Sequence, residues 1–300
     1  MAEEGYLALA FDDARYLDLA ANLALSIRRI DTRPVSVAVL DGQDVPAPYL
    51  SLFDQVIRVA PDPAVRGAMN KVRMIGFTPY LRTMYVDADC LMVNAKAEFF
   101  WLKYRGRGFA VEGHRQSQGP VFACSLGQKD AAELCRMLGV PYLTVFNAGV
   151  IYFENTPDGQ TVFARARELY DGPLREQLTY RYKHAGEYAD EPIFGAALAQ
   201  LGIPPFEPAL THRLQVTTPN IVDGVVDLDT GELHIVKRPT GGTAQIWSGA
   251  ICHFCGLSPM ETYFDLADRL RRDAKLPPMD RSRFRPVVLT ATHHQETVAG

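Results

Sequence analysis

The stretch Thr83-Met84-Tyr85-Val86-Asp87-Ala88-Asp89-Cys90-Leu91-Met92-Val93 carries an apolar strand into two carboxylates and back into apolar residues. Asp87 and Asp89 are two positions apart, and in extended chain a period of two turns both carboxylates to the same side. Like charges held that close repel unless a cation lies between them. Oxygen donors suit hard ions such as Mg²⁺ or Mn²⁺, which in turn hold phosphates. The end of a strand in an open α/β sheet is also where ligands usually bind. Alone, the triplet is a weak signal that fits a solvated turn better than a metal site, so its surroundings have to decide.

Toward the N-terminus, Tyr6 to Phe11 reads as a buried strand. After Asp12-Asp13, the apolar stripe Tyr16, Ala20, Leu23, Ala24 and Ile27 has helical spacing. Pro34 to Leu40 and Phe53 to Val59 are further strands, and Met69 to Phe77 a short helix stopped near Thr78-Pro79. Strand, helix, strand, strand opens a parallel sheet with crossovers. Toward the C-terminus, a helix is expected at Lys129 to Leu138, and strands at Leu143 to Phe146 and Val150 to Phe153 around Asn147-Ala148-Gly149. A helix follows over Ala189 to Leu201. Ile221 to Val236 alternates about the turn Asp229-Thr230-Gly231-Glu232 and predicts a hairpin. Ala244 to His253 is a strand and Met260 to Lys275 an Arg-rich amphipathic helix, with an irregular tail after Pro277. Asp265, Asp268 and Asp273 between its arginines favour a solvated face, with peripheral membrane contact as the alternative.

The chain has 300 residues, 47% hydrophobic and 22% charged, enough for a folded domain. A formal charge of −4 argues against bulk affinity for nucleic acid. No apolar run spans a bilayer, and the acidic start Met1-Ala2-Glu3-Glu4-Gly5 lacks the layout of a secretory signal. Cys90, Cys124, Cys135, Cys252 and Cys255 form an odd, scattered set of small buried side chains suited to a reducing compartment. The expected location is cytoplasmic. No repeat, low-complexity block or linker divides the chain.

Six pieces fall in order along the sequence: Phe11-Asp12-Asp13 with Tyr16; Lys71 ahead of Thr78-Pro79-Tyr80; Tyr85-Val86-Asp87-Ala88-Asp89; Phe146-Asn147-Ala148-Gly149-Val150; Asp190-Glu191; and His253-Phe254-Cys255-Gly256. Together they resemble the retaining GT-A glycosyltransferases of family 8, the group of glycogenin and the bacterial lipopolysaccharide galactosyl- and glucosyltransferases. The likeness covers roughly Leu7 to Pro259. It implies an α/β GT-A fold with a Rossmann-like, mostly parallel central sheet flanked by helices and a small C-terminal hairpin and helix portion. Residues 1–300 would form one domain, its nucleotide-binding part about 1–125 and its acceptor-side and C-terminal part about 126–300. The implied activity moves a hexose from a nucleotide-sugar, UDP-glucose or UDP-galactose, to an acceptor hydroxyl, with a divalent metal and retention. The acceptor class is open: saccharide, lipid-linked or small molecule.

By the same resemblance Asp87, Asp89 and His253 hold Mn²⁺ (or Mg²⁺), a donor set that a borderline ion accepts. Phe11, Asp12, Asp13 and Tyr16 line the nucleotide-base site, although Asp12 or Asp13 also fits an N-cap. Lys71, Ala88, Gly149, Glu191 and Gly256 belong to the donor site, with Lys71 otherwise an ordinary exposed lysine. Asn147 and Asp190 face the donor sugar as the catalytic candidates, Asp190 also fitting an N-cap before Pro192. The chain departs from the family in two places. Glu191 stands where glutamine is usual, and Gly256 is followed by Leu257-Ser258-Pro259-Met260 without the lysine that binds phosphate. A leaving diphosphate still needs positive charge; Lys237, Arg238 or an arginine of the 269–272 segment could supply it.

Other readings are weaker. Cys252-His253-Phe254-Cys255 lacks a second cysteine pair for zinc. Ala123-Cys124-Ser125-Leu126-Gly127 only echoes a hydrolase elbow. A nucleotidyltransferase, or a non-catalytic sugar-nucleotide-binding protein on the same fold, are the alternatives in function.

Overall fold

The computed structural model describes residues 2–121, 129–179, 188–219, 221–238 and 243–284. The hydrolase-like segment with Cys124, and the tail beyond residue 284, lie outside these. The chain begins β1 (Ala2–Leu9), α1 (Ala14–Arg28), β2 (Val35–Leu40), the short α2 (Ala47–Leu50) and β3 (Gln55–Val59). A 3-10 helix over Gly67–Gly76 leads to β4 (Tyr80–Val86), β5 (Cys90–Met92) and α3 (Ala97–Tyr104). Then come β6 (Phe109–Ala110), β7 (Gly113–Gln116), α4 (Ala131–Leu138), β8 (Leu143–Phe146), β9 (Val150–Glu154), α5 (Pro157–Asp171), α6 (Arg175–Leu178) and α7 (Glu191–Gln200). The chain continues through β10 (Arg213–Thr217), β11 (Ile221–Asp227), β12 (Glu232–Lys237), β13 (Gln245–His253) and α8 (Met260–Asp273).

The central sheet has the order β3-β2-β1-β4-β9-β6. Its first four strands are mutually parallel, and β9 and β6 run antiparallel to their neighbours. Alternation splits the core in two. Tyr6, Ala8, Met84, Val86, Val150 and Tyr152 point into a cluster with α1, α3 and α8. Leu7, Tyr85, Ile151 and Phe153 point the other way, against the 3-10 segment, α4, α5 and α7. A period of two with both faces covered explains why these strands read as continuous apolar runs. A second sheet runs β10-β13-β12-β11, with β5 also paired to β13. The predicted hairpin is present, β11 against β12. Among the described residues no helix is long and apolar enough to cross a membrane.

Three expectations need correcting. The first strand starts at Ala2, not Tyr6, because its acidic end is neutralised: Glu4 binds Arg33 (2.9 Å), Arg82 (3.0 Å) and Arg105 (2.7 Å). Met69 to Phe77 belongs to a 3-10 rather than an α-helix, bounded by glycines, which resist helix. The arginines of α8 are not a uniformly solvated face. Arg271 is buried and donates to Pro277 O (2.6 Å), Asn22 Oδ1 (3.2 Å) and Tyr49 OH (2.8 Å).

Glu112, just past β6, ties the two sheets together. Its Oε2 accepts the Leu214 N–H at 2.8 Å, while Oε1 is buried with no partner among the described residues. Burial pushes this carboxyl up to about 7. Because the folded value lies above the unfolded one, the stability tied to its proton is present at low pH and is lost as pH rises through about 7. Between about pH 5.5 and about pH 8 we expect the wild type to lose about 2 kcal/mol that Glu112→Gln does not lose. Urea unfolding of both proteins at the two pH values measures this, and parallel curves would refute it.

Candidate functional site

In the central sheet the chain moves from β1 to β2 and β3 on one side, then returns to place β4 on the other. The loops after β1 and β4 therefore diverge at the same edge of the sheet, the crevice where open α/β folds bind ligands. Asp87 and Asp89 follow β4 in that crevice. The loop after β1 supplies Phe11, Asp12 and Asp13, and the first turn of α1 supplies Tyr16. Asp13 caps α1 through the Arg15 N–H (2.9 Å), as its alternative reading foresaw. Asp12 is exposed with a left-handed φ of 66°. Phe11 is buried with its ring edge-on to Phe77.

His253 arrives from the second sheet, directly opposite Cys90 in the antiparallel β5–β13 ladder. Its Nε2 lies 3.2 Å from Asp89 Oδ1 and 3.8 Å from Asp87 Oδ2. Its Nδ1 is 2.8 Å from Asn147 Oδ1. The Asn147 amide is itself held: Nδ2 donates to Glu191 Oε1 (3.2 Å), which also accepts the Ala148 N–H (3.1 Å), and Oδ1 accepts the Gly149 N–H (3.0 Å). Glu191 Oε1 accepts from the Asn147 amide nitrogen, which turns the Asn147 oxygen toward the imidazole. Nδ1 is then the donor to Asn147, and Nε2 faces the carboxylates. Outer partners of this kind fix the tautomer of metal-binding histidines. Burial, with Asp190 next, pushes Glu191 up to about 7. Burial would lower His253, but Cys255 and Asp89 outweigh it and hold the imidazole well above its ordinary range.

Lys71 is buried, not exposed. Its Nζ lies 3.0 Å from Asp87 Oδ1 and 3.1 Å from Asp190 Oδ2, and donates to Ala148 O at 3.1 Å. Burial works against its charge, yet Asp190 and Asp87 outweigh it and hold the ammonium well above its ordinary range. Burial raises the Asp190 carboxyl despite Lys71. For Asp87 the order reverses: burial is outweighed by Lys71 and His253, and the group stays ionised below its usual range. Tyr85 OH donates to Asp87 Oδ1 as well. Asp190 makes no capping bond to α7, so its carboxylate is committed to Lys71 rather than to the helix.

Asp87, Asp89, His253, Asn147, Gly149, Lys71, Asp190 and Glu191 thus form one connected network. Ala88 is buried between the two carboxylates. Gly256, with φ 62°, makes the turn that follows His253. The closest donor trio is Asp89, Cys90 and His253, whose ligand atoms lie within 4.8 Å of one another. Asp87, expected as a ligand, is not one of the three; its carboxylate meets Lys71 and Tyr85. Cys90 had read only as a small buried side chain. Its thiol, 3.8 Å from Gly149 O, is pushed well up by burial and the neighbouring Asp89 and Asp87. Asp89, Cys90 and His253 are a group whose donor atoms could hold a metal ion.

Sequence reading also missed Gln215, whose Nε2 donates to Asn147 O at 2.7 Å. Its hint was the alternation of polar Arg213, Gln215 and Thr217 along one strand. Gly149 permits this packing, since a Cβ there would run into His253 Nδ1 and Gln215 Oε1. Gly149→Ala should cost about 1–3 kcal/mol by overpacking and break the Asn147–His253 bond. Urea unfolding and the imidazole N–H resonance report the two effects; an unchanged pair would contradict this geometry.

No protein-family model and no curated protein matches the sequence. Solved structures do match the fold. An active-site mutant of LgtC superposes at TM-score 0.53 with 15% identity, covering 88% of this chain and 95% of that one. The galactosyltransferase LgtC, in complex with donor and acceptor sugar analogues, gives 0.50 at 14%, over 90% and 99%. The fold is GT-A. Mixed α/β layers around a mostly parallel sheet are shared with these GT-A glycosyltransferases over most of this chain. The bifunctional glycosyltransferase WbbM matches at 0.46 and 15% over 71% of this chain, which spans only 40% of that protein.

Proposed function

We propose that this protein is a glycosyltransferase that moves a hexose from a nucleotide-sugar, UDP-glucose or UDP-galactose, to an acceptor hydroxyl with retention. The observation that carries the reading is the convergence of Asp87, Asp89 and the oriented Nε2 of His253 at the strand-order crevice of a GT-A fold. A divalent cation there, Mn²⁺ or Mg²⁺, would supply Lewis-acid stabilisation of the departing diphosphate. In the transfer, the acceptor oxygen bonds to the anomeric carbon and releases its proton. The bond from that carbon to the phosphate oxygen breaks, and its electron pair leaves with the nucleoside diphosphate. Asn147 and Asp190 are the residues we assign to the sugar side. Lys71 holds Asp190 and Asp87 in place, and Glu191 sets Asn147. The β1 loop, Phe11 to Tyr16, is assigned to the nucleotide base.

The test is a thermal-shift panel of nucleotide-sugars with and without Mn²⁺, followed by assay of free UDP. A UDP-hexose should raise Tm only with the metal present, and UDP should be released on incubation. A panel in which no nucleotide-sugar stabilises the protein under either condition would remove this reading.

A further inference from the structure

Lys237 is a buried cation that the network above does not use. It lies at the end of β12 and is 9% exposed, with no carboxylate partner among the described residues. Its Nζ donates to Thr217 O and Thr217 Oγ1, both at 2.9 Å, and stands 4.8 Å from the centre of the Trp247 ring. These partners are neutral. Arg213 stands over the same ring at 4.3 Å and adds a second positive charge. Burial lowers the Lys237 ammonium to about 8, with only the Cys255 and Cys252 thiols opposing and Arg213 adding to the fall. It still carries its proton at neutral pH. A buried charge without a counter-charge costs several kcal/mol, and an anion is what would relieve it.

Its position says which anion. Thr217 is the register partner of His253 in the parallel β10–β13 ladder, and residues paired this way share a face of the sheet. Thr217 Oγ1 therefore stands on the face from which His253 reaches Asp87 and Asp89. Gln215, two residues earlier on that face, reaches Asn147, which confirms the direction independently. Of the other cations left open by the sequence, two are held elsewhere and two are solvent-exposed. Arg238 and Arg272 are exposed, Arg269 pairs with Asp229, and Arg271 is saturated by neutral groups in the core.

We propose that Lys237, carried by the β12 strand, supplies the positive charge that meets a diphosphate group beside the carboxylate and histidine cluster, on the functional reading above that of a nucleotide-sugar. This rests on the functional reading above and replaces the lysine missing after Gly256. Thr217 aims the ammonium and Trp247 covers it, so the charge is pre-set rather than recruited from solvent.

Calorimetry with Mn²⁺ tests it, using UDP, uridine and inorganic pyrophosphate as probes on wild type, Lys237→Gln, Lys237→Met and Lys237→Arg. A hydrogen bond to a charged group contributes about 1.5–3 kcal/mol, so both neutral variants should bind UDP about 10- to 100-fold more weakly. Uridine affinity should stay within about twofold, and Lys237→Arg should recover most of the loss. Gln keeps a donor for Thr217 and Met fills the space, so a folding defect in one does not obscure the other. A role in holding the sheet alone would weaken UDP and uridine together, and that result overturns the proposal. So does a neutral variant binding UDP as tightly as wild type. If wild type binds pyrophosphate through Lys237 but not UDP, the proposal stands and the nucleotide-sugar reading falls. If it binds neither, both fall.

Discussion

Asp89→Ala should lower metal-dependent turnover about a thousandfold while leaving the folded protein intact. Asp89 is partly exposed and its carboxylate makes its short contact with His253 Nε2, at 3.2 Å. Removing it leaves no buried partner stranded except an imidazole that can return to its neutral form. Stability should therefore change little. The chemical loss is large, because a metal contributes several kcal/mol of transition-state charge stabilisation and each 1.36 kcal/mol is tenfold in rate. Asp87 and His253 remain, but Asp87 already divides its oxygens between Lys71 and Tyr85. The check is twofold: release of UDP from a UDP-hexose, and the Tm increment on adding Mn²⁺. A variant that keeps both would show that the ion, if any, sits elsewhere.

The second large effect is on stability. Lys71→Met should destabilise the fold by about 3–5 kcal/mol, the cost of breaking a buried ion pair from one side. Asp190 is 3% exposed and faces Lys71, so methionine leaves its carboxylate buried and uncompensated. Asp190→Asn removes that charge, and the double variant should recover much of the loss, a coupling of the kind expected for residues in contact. Urea midpoints of the four proteins measure it. Additive single-variant losses would show that Lys71 and Asp190 do not meet in solution.

The parts of the site that a sequence shows are those encoded locally. The Asp87-Ala88-Asp89 triplet closes an apolar strand, Asn147-Ala148-Gly149 sits between two strands, and His253 ends a third. Each is marked by its own neighbours. What escaped depends on register and depth. Whether Lys71 is solvated or locked under Asp87 and Asp190 is set by how the 3-10 segment packs on the sheet, and residue type favours the wrong answer. Glu191 looked like a substitution in a sugar contact. Its hydrogen bonds to Asn147 and Ala148 exist only because α7 starts beside β8. The Thr217–His253 pairing that places Lys237 comes from a ladder between strands with a long stretch of chain between them. Likewise the periodicity of α8 identified a helix without showing that Arg271 turns inward.

The side chains of the network come from well-separated parts of the polypeptide. Asn147 and His253 are separated by 106 residues, and the carboxylates precede both. On a ribosome, the triplet is complete long before the imidazole that faces it has been made. The two carboxylates therefore exist in the nascent chain before the strand that brings His253 beside them. The network of Asp87, Asp89, Asn147 and His253 can close only once β13 is paired with β5.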